Sequence, residues 1–259
     1  MRHSSPTTSN APQLAYTLIS DVTSLARSIE LWTQDTVTDR RIAIDTEFIR
    51  ERTYAPVLEM VQVASPNGHI GLIDVPAIKD LTALWQLLED PTLTKLVHAG
   101  NQDVEIMALA FGRPLNGPWF DTQVAGAFLG IGLQAGYGAI VQQVLHVKLD
   151  KEEGFSDWSR RPFTESMLNY AAGDVHYLQS LETWLSERLA KRGRTQWAID
   201  QTNRILGHSA DQTAPEDLWQ RVGGKHHLDA TGLAILRELT IWRDQEARRR
   251  DKPRRNILK

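Results

Sequence analysis

Apolar and polar positions alternate most clearly over residues 41–48, where Ile42 and Ile44 lead into Asp45-Thr46-Glu47-Phe48. A period of two is what a strand with a buried face requires, so this run predicts the first core strand. Residues 57–64 read as a second strand, Ser65-Pro66-Asn67-Gly68 as a turn and 69–75 as a third strand, together an antiparallel meander. Upstream, residues 16–19 fit a short strand, and Leu25, Ile29 and Leu31 fit a helix. Downstream, Leu81, Leu84, Trp85 and Leu88 have helical spacing, 94–98 reads as a strand and 102–110 as a helix. Phe120-Asp121 looks like a strand end, with helical stretches through Val124, Ala127 and Phe128 and over 140–145. Residues 164–191 predict one long helix with Thr164 as its N-cap. Polarity then rises around residues 207–211, which predicts a linker to a helical piece holding Leu218, Trp219, Val222, Leu233, Leu236, Leu239, Ile241 and Trp242. The order of elements predicts an α/β fold, a mixed sheet flanked by helices and followed by a short all-α C-terminal segment. The expected boundaries are a disordered tail over 1–13, a main domain over 14–207 and a helical domain over 208–259.

Composition narrows the class. A chain of 259 residues, 41% hydrophobic and 24% charged, suits one substantial core with an appendage. Cysteine is absent, which excludes disulfide partners, zinc–thiolate sites and cysteine nucleophiles. No apolar run reaches the roughly 18 residues of a membrane span, and the polar opening residues argue against a secretory signal, so the expected location is cytoplasmic. The net charge of −3 is unevenly spread: residues 237–259 carry nine Lys/Arg against four Asp/Glu, while the rest is acidic. Such asymmetry suggests a polyanionic partner near the C-terminus, although a solvated helix face produces the same count.

Three acidic segments carry candidate chemistry. Asp45 and Glu47 are two apart on a strand, so their carboxylates share a face, where like charges repel unless a hard divalent cation sits between them. Taken alone, the pair also fits a polar strand end. Asp103 follows Val97-His98-Ala99-Gly100-Asn101 in the first turn of a predicted helix, a place that capping and the helix dipole favour as well. Tyr170 and Asp174 lie four apart, on one helical face, with small residues between them. The glycine-rich stretch 130–138 follows a helix and lacks a Gly-Lys-Ser/Thr ending, so it reads as a loop rather than a phosphate cradle.

Together these segments resemble the DEDD exonucleases of the ribonuclease-H-like fold, and more narrowly the bacterial ribonuclease D family. The resemblance rests on Asp45-Thr46-Glu47-Phe48 with Arg52-Thr53-Tyr54, His98-Ala99-Gly100 ahead of Asp103, and Phe120-Asp121-Thr122-Gln123. It continues through Leu149-Asp150-Lys151, Asp157-Trp158 with Arg161-Pro162, and Tyr170-Ala171-Ala172-Gly173-Asp174. Asn169 stands where the histidine subclass has its histidine, which leaves Tyr170 and the tyrosine subclass. The resemblance implies a 3′-5′ exonuclease domain over 14–207 and part of a helical, HRDC-like domain over 208–259. It implies two Mg²⁺ or Mn²⁺ ions, with Asp45 bridging both, Glu47 and Asp174 completing one site and Asp103 serving the other. Tyr170 and Glu47 would orient the attacking water. Phe48, Arg52, Tyr54, His98, Trp158 and Arg161 are candidates for substrate contacts, by stacking or at the backbone. The implied substrate is RNA with a free 3′ end, transfer-RNA precursors among it. A single-strand DNA exonuclease of the same fold and an inactive nucleic-acid-binding adaptor are the competing expectations.

Overall fold

The computed structural model describes residues 14–149, 156–207 and 214–258. Six strands form one sheet in the order β1-β4-β3-β2-β5-β6: β1 (Thr17–Ile19), β2 (Arg41–Ile49), β3 (Val57–Ala64), β4 (Ile70–Asp74), β5 (Thr94–Val97) and β6 (Trp119–Asp121). The predicted meander is β2-β3-β4, antiparallel throughout, while β5 and β6 run parallel to β2 on its other side. The mixed α/β sheet expected from the hydrophobic pattern is therefore present.

Alternation along β2 and β3 assigns side chains to two faces. Ile42 and Ile44 join Val61 and Val63 in one core, with Trp32 of α1 (Val22–Asp35), Leu84 of α2 (Thr82–Leu88) and Met107 of α3 (Asn101–Phe111). Full burial of each such side chain contributes roughly 1.5–3 kcal/mol. The opposite face presents the pairs Ala43–Ala64, Asp45–Gln62 and Glu47–Met60. Its apolar members pack beneath Met167, Ala171, Ala172 and Val175 of α6 (Glu165–His176). A third apolar cluster joins α4 (Thr122–Leu129), α5 (Tyr137–Leu145), α7 (Leu178–Lys191) and α8 (Thr195–Gly207) beside the sheet.

Two elements differ from the sequence reading. The predicted helix over 164–191 is two helices, α6 and α7, separated at Tyr177. Thr164 does cap the first, its side chain accepting from the Met167 amide at 3.2 Å. The second difference is α8, an element absent from the sequence reading although Ala198, Thr202 and Leu206 recur every four residues along its buried face. Residues 1–13 and most of the predicted linker lie outside the described residues.

Beyond them, a 3-10 stretch (Pro215–Arg221) and α9 (Ala230–Arg250) form the C-terminal segment. It is fastened to the loop after β2. Asp244, 1% exposed, accepts from the Tyr54 hydroxyl at 2.7 Å and pairs with Arg248 and Arg254. Asp251 accepts from the Tyr54 amide at 3.0 Å. No helix among the described residues is long and apolar enough to cross a membrane.

Candidate active site

Strand β2 outlasts its parallel neighbour. Pairing with β5 covers only Arg41–Ala43 against Thr94–Leu96, whereas β2 runs on to Ile49. Asp45 and Glu47 thus emerge at the carboxyl end of the parallel strands, where the chain of β5 turns away into α3. A crevice at such a strand end is the usual ligand position of an open α/β sheet. Between Glu47 and Phe48 the register with β3 slips, leaving Glu59 as the extra residue. Alternation along β2 already puts Phe48 on the face of the Ile42–Ile44 core, and the bulge turns its partner Leu58 to that face too; the Arg50 guanidinium lies 5.3 Å from the Phe48 ring centre.

Helix α6 brings Asp174 over the same crevice. Ligand oxygens of Asp45, Glu47 and Asp174 all lie within 4.8 Å of one another. Tyr170, one turn earlier, donates a side-chain hydrogen bond to Asp174. The break after α6 is held by Tyr137, whose hydroxyl donates to the Gly173 carbonyl at 2.9 Å and accepts from the Tyr177 amide at 3.2 Å. Nothing local to Tyr137 marks it for this role, because its partners are 36 and 40 residues away.

Asp103 approaches from the other side of β2. Its carboxylate accepts a short hydrogen bond from the Thr46 hydroxyl, and it stays outside the three-carboxylate group. The turn that delivers it is fixed by Asp121, which accepts from the amides of Ala99 (3.0 Å) and Gly100 (3.1 Å). Gly100 is required there: a Cβ would meet the Val97 side chain at 2.6 Å.

Electrostatics set this cluster apart from a solvated acidic patch. Burial, with Asp174 and Asp103 nearby, pushes the Glu47 carboxyl up to about 9. Asp174 is raised to about 7 by burial, against the hydrogen bond from Tyr170. Burial raises Asp103 to about 6 despite the Thr46 hydrogen bond. Asp45 is raised well above the carboxylate range, by burial first and then by the other three acids. Burial and Asp174 also raise Tyr170, so its phenol keeps its proton. Hard oxygens, converging and short of counter-charge, fit a divalent cation of the Mg²⁺ or Mn²⁺ kind.

The predicted substrate contacts are differently placed. Trp158 is 1% exposed, inside the apolar cluster under α6 and 6.4 Å from the Tyr170 ring. Arg161 is pinned internally: its Nη2 lies 2.7 Å from Asp74 and 3.1 Å from Glu59, and its plane covers Phe163. His98 is held at both nitrogens, Nδ1 with Thr122 Oγ1 at 2.8 Å and Nε2 donating to the Ala135 carbonyl at 3.1 Å, and burial lowers its pKa. Tyr54 is the C-terminal anchor described above. These four side chains are engaged by other parts of the fold, whereas Arg52 is exposed, paired with Asp157 at 2.7 Å. Four of the C-terminal arginines are also internally matched, Arg249 and Arg250 with Glu246 and Arg248 and Arg254 with Asp244.

The 3′-5′ exonuclease family profile matches residues 16–190, the stretch from β1 to the end of α7. The chain belongs to the 3′-5′ exonuclease family. Ribonuclease D of Gluconacetobacter diazotrophicus is 40% identical over 218 residues, 84% of this chain and 55% of that protein. The crystal structure of Escherichia coli RNase D, described as an exoribonuclease involved in structured RNA processing, superposes with a TM-score of 0.86 at 34% identity, covering 95% of this chain and 64% of that one. Two structures of NrnC from Brucella melitensis, with bound Mg²⁺ and bound to pGG, match at TM-scores of 0.63 and 0.64 and 27% and 28% identity. They cover 84% and 83% of this chain and 98% and 100% of NrnC. The resemblance to ribonuclease D read from the motifs therefore holds, and the chain spans about half the length of the curated relatives it matches.

Proposed function

We propose that this exonuclease is a divalent-metal-dependent 3′-to-5′ exoribonuclease that releases 5′-mononucleotides from a free 3′ end, transfer-RNA precursors being the expected substrate class. The observation that carries the reading is the convergence of Asp45, Glu47 and Asp174 within 4.8 Å beside a protonated Tyr170. The similarity to Escherichia coli RNase D supports RNA as substrate, and the Mg²⁺ in NrnC supports the choice of ion.

Asp45, whose carboxylate is acted on by Asp103, Asp174 and Glu47 alike, would be a ligand common to both ions. Glu47 and Asp174 would complete one site and Asp103 would serve the other. When bound, the ions supply Lewis acidity to the phosphodiester and its leaving 3′ oxygen, and a water acidic enough to attack near neutral pH. The chain's own side chains do the positioning. Tyr170, with its proton retained, is a hydrogen-bond donor and not the base, and it fixes Asp174 and the incoming water. Thr46 holds Asp103 by its hydroxyl.

The test is a 5′-labelled single-stranded RNA and a DNA of matched sequence, each incubated with protein in Mn²⁺ or Mg²⁺. RNA is expected to shorten stepwise from its 3′ end, faster than DNA, and not at all in excess chelator. Faster DNA shortening would make this a DNA exonuclease of the same fold, and binding without shortening would make it an adaptor. Tyr170→Phe is expected to slow the reaction by about tenfold, the value of one hydrogen bond of roughly 1.4 kcal/mol in the transition state. A loss equal to that of removing Asp45 would mean that the phenol takes part in the chemistry itself.

A further inference from the structure

Gln62 is fully buried, and neither amide atom, Oε1 nor Nε2, has a hydrogen-bond partner. Buried polar side chains are nearly always paired, so an orphaned amide in a β-sheet needs a reason. The register supplies one. Gln62 lies directly opposite Asp45 across the β2–β3 pair. Opposed residues project to the same face with their Cβ atoms about 4.5–5.5 Å apart. Its other neighbours on that face are apolar: Met60 and Ala64 along β3, Leu72 across β4, and the Ala171–Val175 side of α6 above. Methionine or leucine would fill such a position without leaving polar atoms unmet. Of the two residues paired with Gln62 across the sheet, Asp45 and Leu72, only Asp45 is polar.

A carboxylate shared by two cations turns some of its lone pairs to the ions, and the rest need donors that fix its plane. Asp45 accepts from the Thr46 backbone amide, which leaves room for a second donor. We propose that Gln62 is a positioning residue for the metal site, its Nε2 donating to the Asp45 carboxylate in the metal-loaded protein. The amide is then a cost to the metal-free fold that is recovered on loading. This inference rests on the metal-dependent reading above, and it assigns to the sheet interior a part that the acidic motifs do not contain.

Gln62→Met and Gln62→Leu test it on the intact chain, after chelation and exchange into metal-free buffer. The readouts are the metal-free melting temperature by circular dichroism and the Mn²⁺ dissociation constant by titration calorimetry. In at least one of the two variants the melting temperature is expected to hold or rise while the dissociation constant increases about tenfold or more, the usual loss for an outer partner of a ligand. An unchanged dissociation constant would overturn the proposal, and so would a lower metal-free melting temperature in both variants, since the amide would then be framework. If the unsubstituted protein takes up no Mn²⁺, the metal-dependent reading itself fails, a result distinct from either of these.

Discussion

Asp45→Asn is expected to reduce RNA shortening by on the order of 10³-fold while leaving the fold intact. Asparagine matches aspartate in size, so the crevice between β2 and α6 gains no cavity and the Ala43–Ala64 and Glu47–Met60 pairs on either side are undisturbed. What disappears is one negative charge at the place where Asp103, Asp174 and Glu47 all act on the same carboxylate. Single-turnover assays with 5′-labelled RNA measure the loss, and a circular dichroism melt reports the fold. Activity within tenfold of the parent would place the chemistry elsewhere on the molecule.

Glu47→Gln is expected to stabilise the metal-free protein and to inactivate it. The Glu47 carboxyl is raised to about 9 in the folded state, against an ordinary value of 4.5 when unfolded. Below about pH 4.5 both states hold the proton and the group has no effect. As the pH rises, the unfolded chain releases its proton while the folded one retains it, so stability falls until about pH 9 and then levels off. Glutamine removes that slope. The melting temperature of Glu47→Gln in chelator should therefore exceed the parent's by a margin that grows between pH 5 and 9. The margin corresponds to on the order of 1–2 kcal/mol for a carboxylate that keeps some contact with solvent. Asp174 and Asp103 act in the same direction, to about pH 7 and pH 6. Saturating Mn²⁺ should reverse the order, because an ion bound by the parent and not by the variant stabilises only the parent. A parent that melts higher in chelator at pH 8 would show that these carboxylates are not mutually strained.

Local chemistry decided what could be read in advance. The alternation around Ile42 and Ile44 placed β2, and the spacings Asp45-x-Glu47 and Tyr170-x-x-x-Asp174 obey the strand and helix periods, so both pairs sit on their expected faces. Asp103 was legible as a helix-start acid, but its bond to Thr46 on the far side of the strand was not. The break at Tyr177 was hidden because Leu178, Leu181 and Leu185 continue the apolar spacing of α6, while its cause, the Tyr137 hydroxyl, is remote in sequence. The aromatic and basic residues were the hardest to read. Trp158, Arg161 and Tyr54 look alike as exposed stacking or backbone contacts and as internal anchors until their partners are known. Arg161 meets Asp74 across 87 residues and Tyr54 meets Asp244 across 190.

That last contact joins the loop after β2 to the carboxyl-terminal helix α9. Asp244 is almost wholly enclosed, and Arg248, Arg254 and the Tyr54 phenol are what make its charge tolerable there. A phosphate chain that drew either guanidinium outward would leave that charge undercompensated and loosen the loop that carries β2 onward from Glu47. By reciprocity, any such coupling would make ordering of the β2 acids tighten the hold of α9 on its own arginines. Grip at the carboxyl-terminal helix and order at the cleaving end would then trade against each other, so a nucleic acid held firmly by α9 would advance less readily through the pocket.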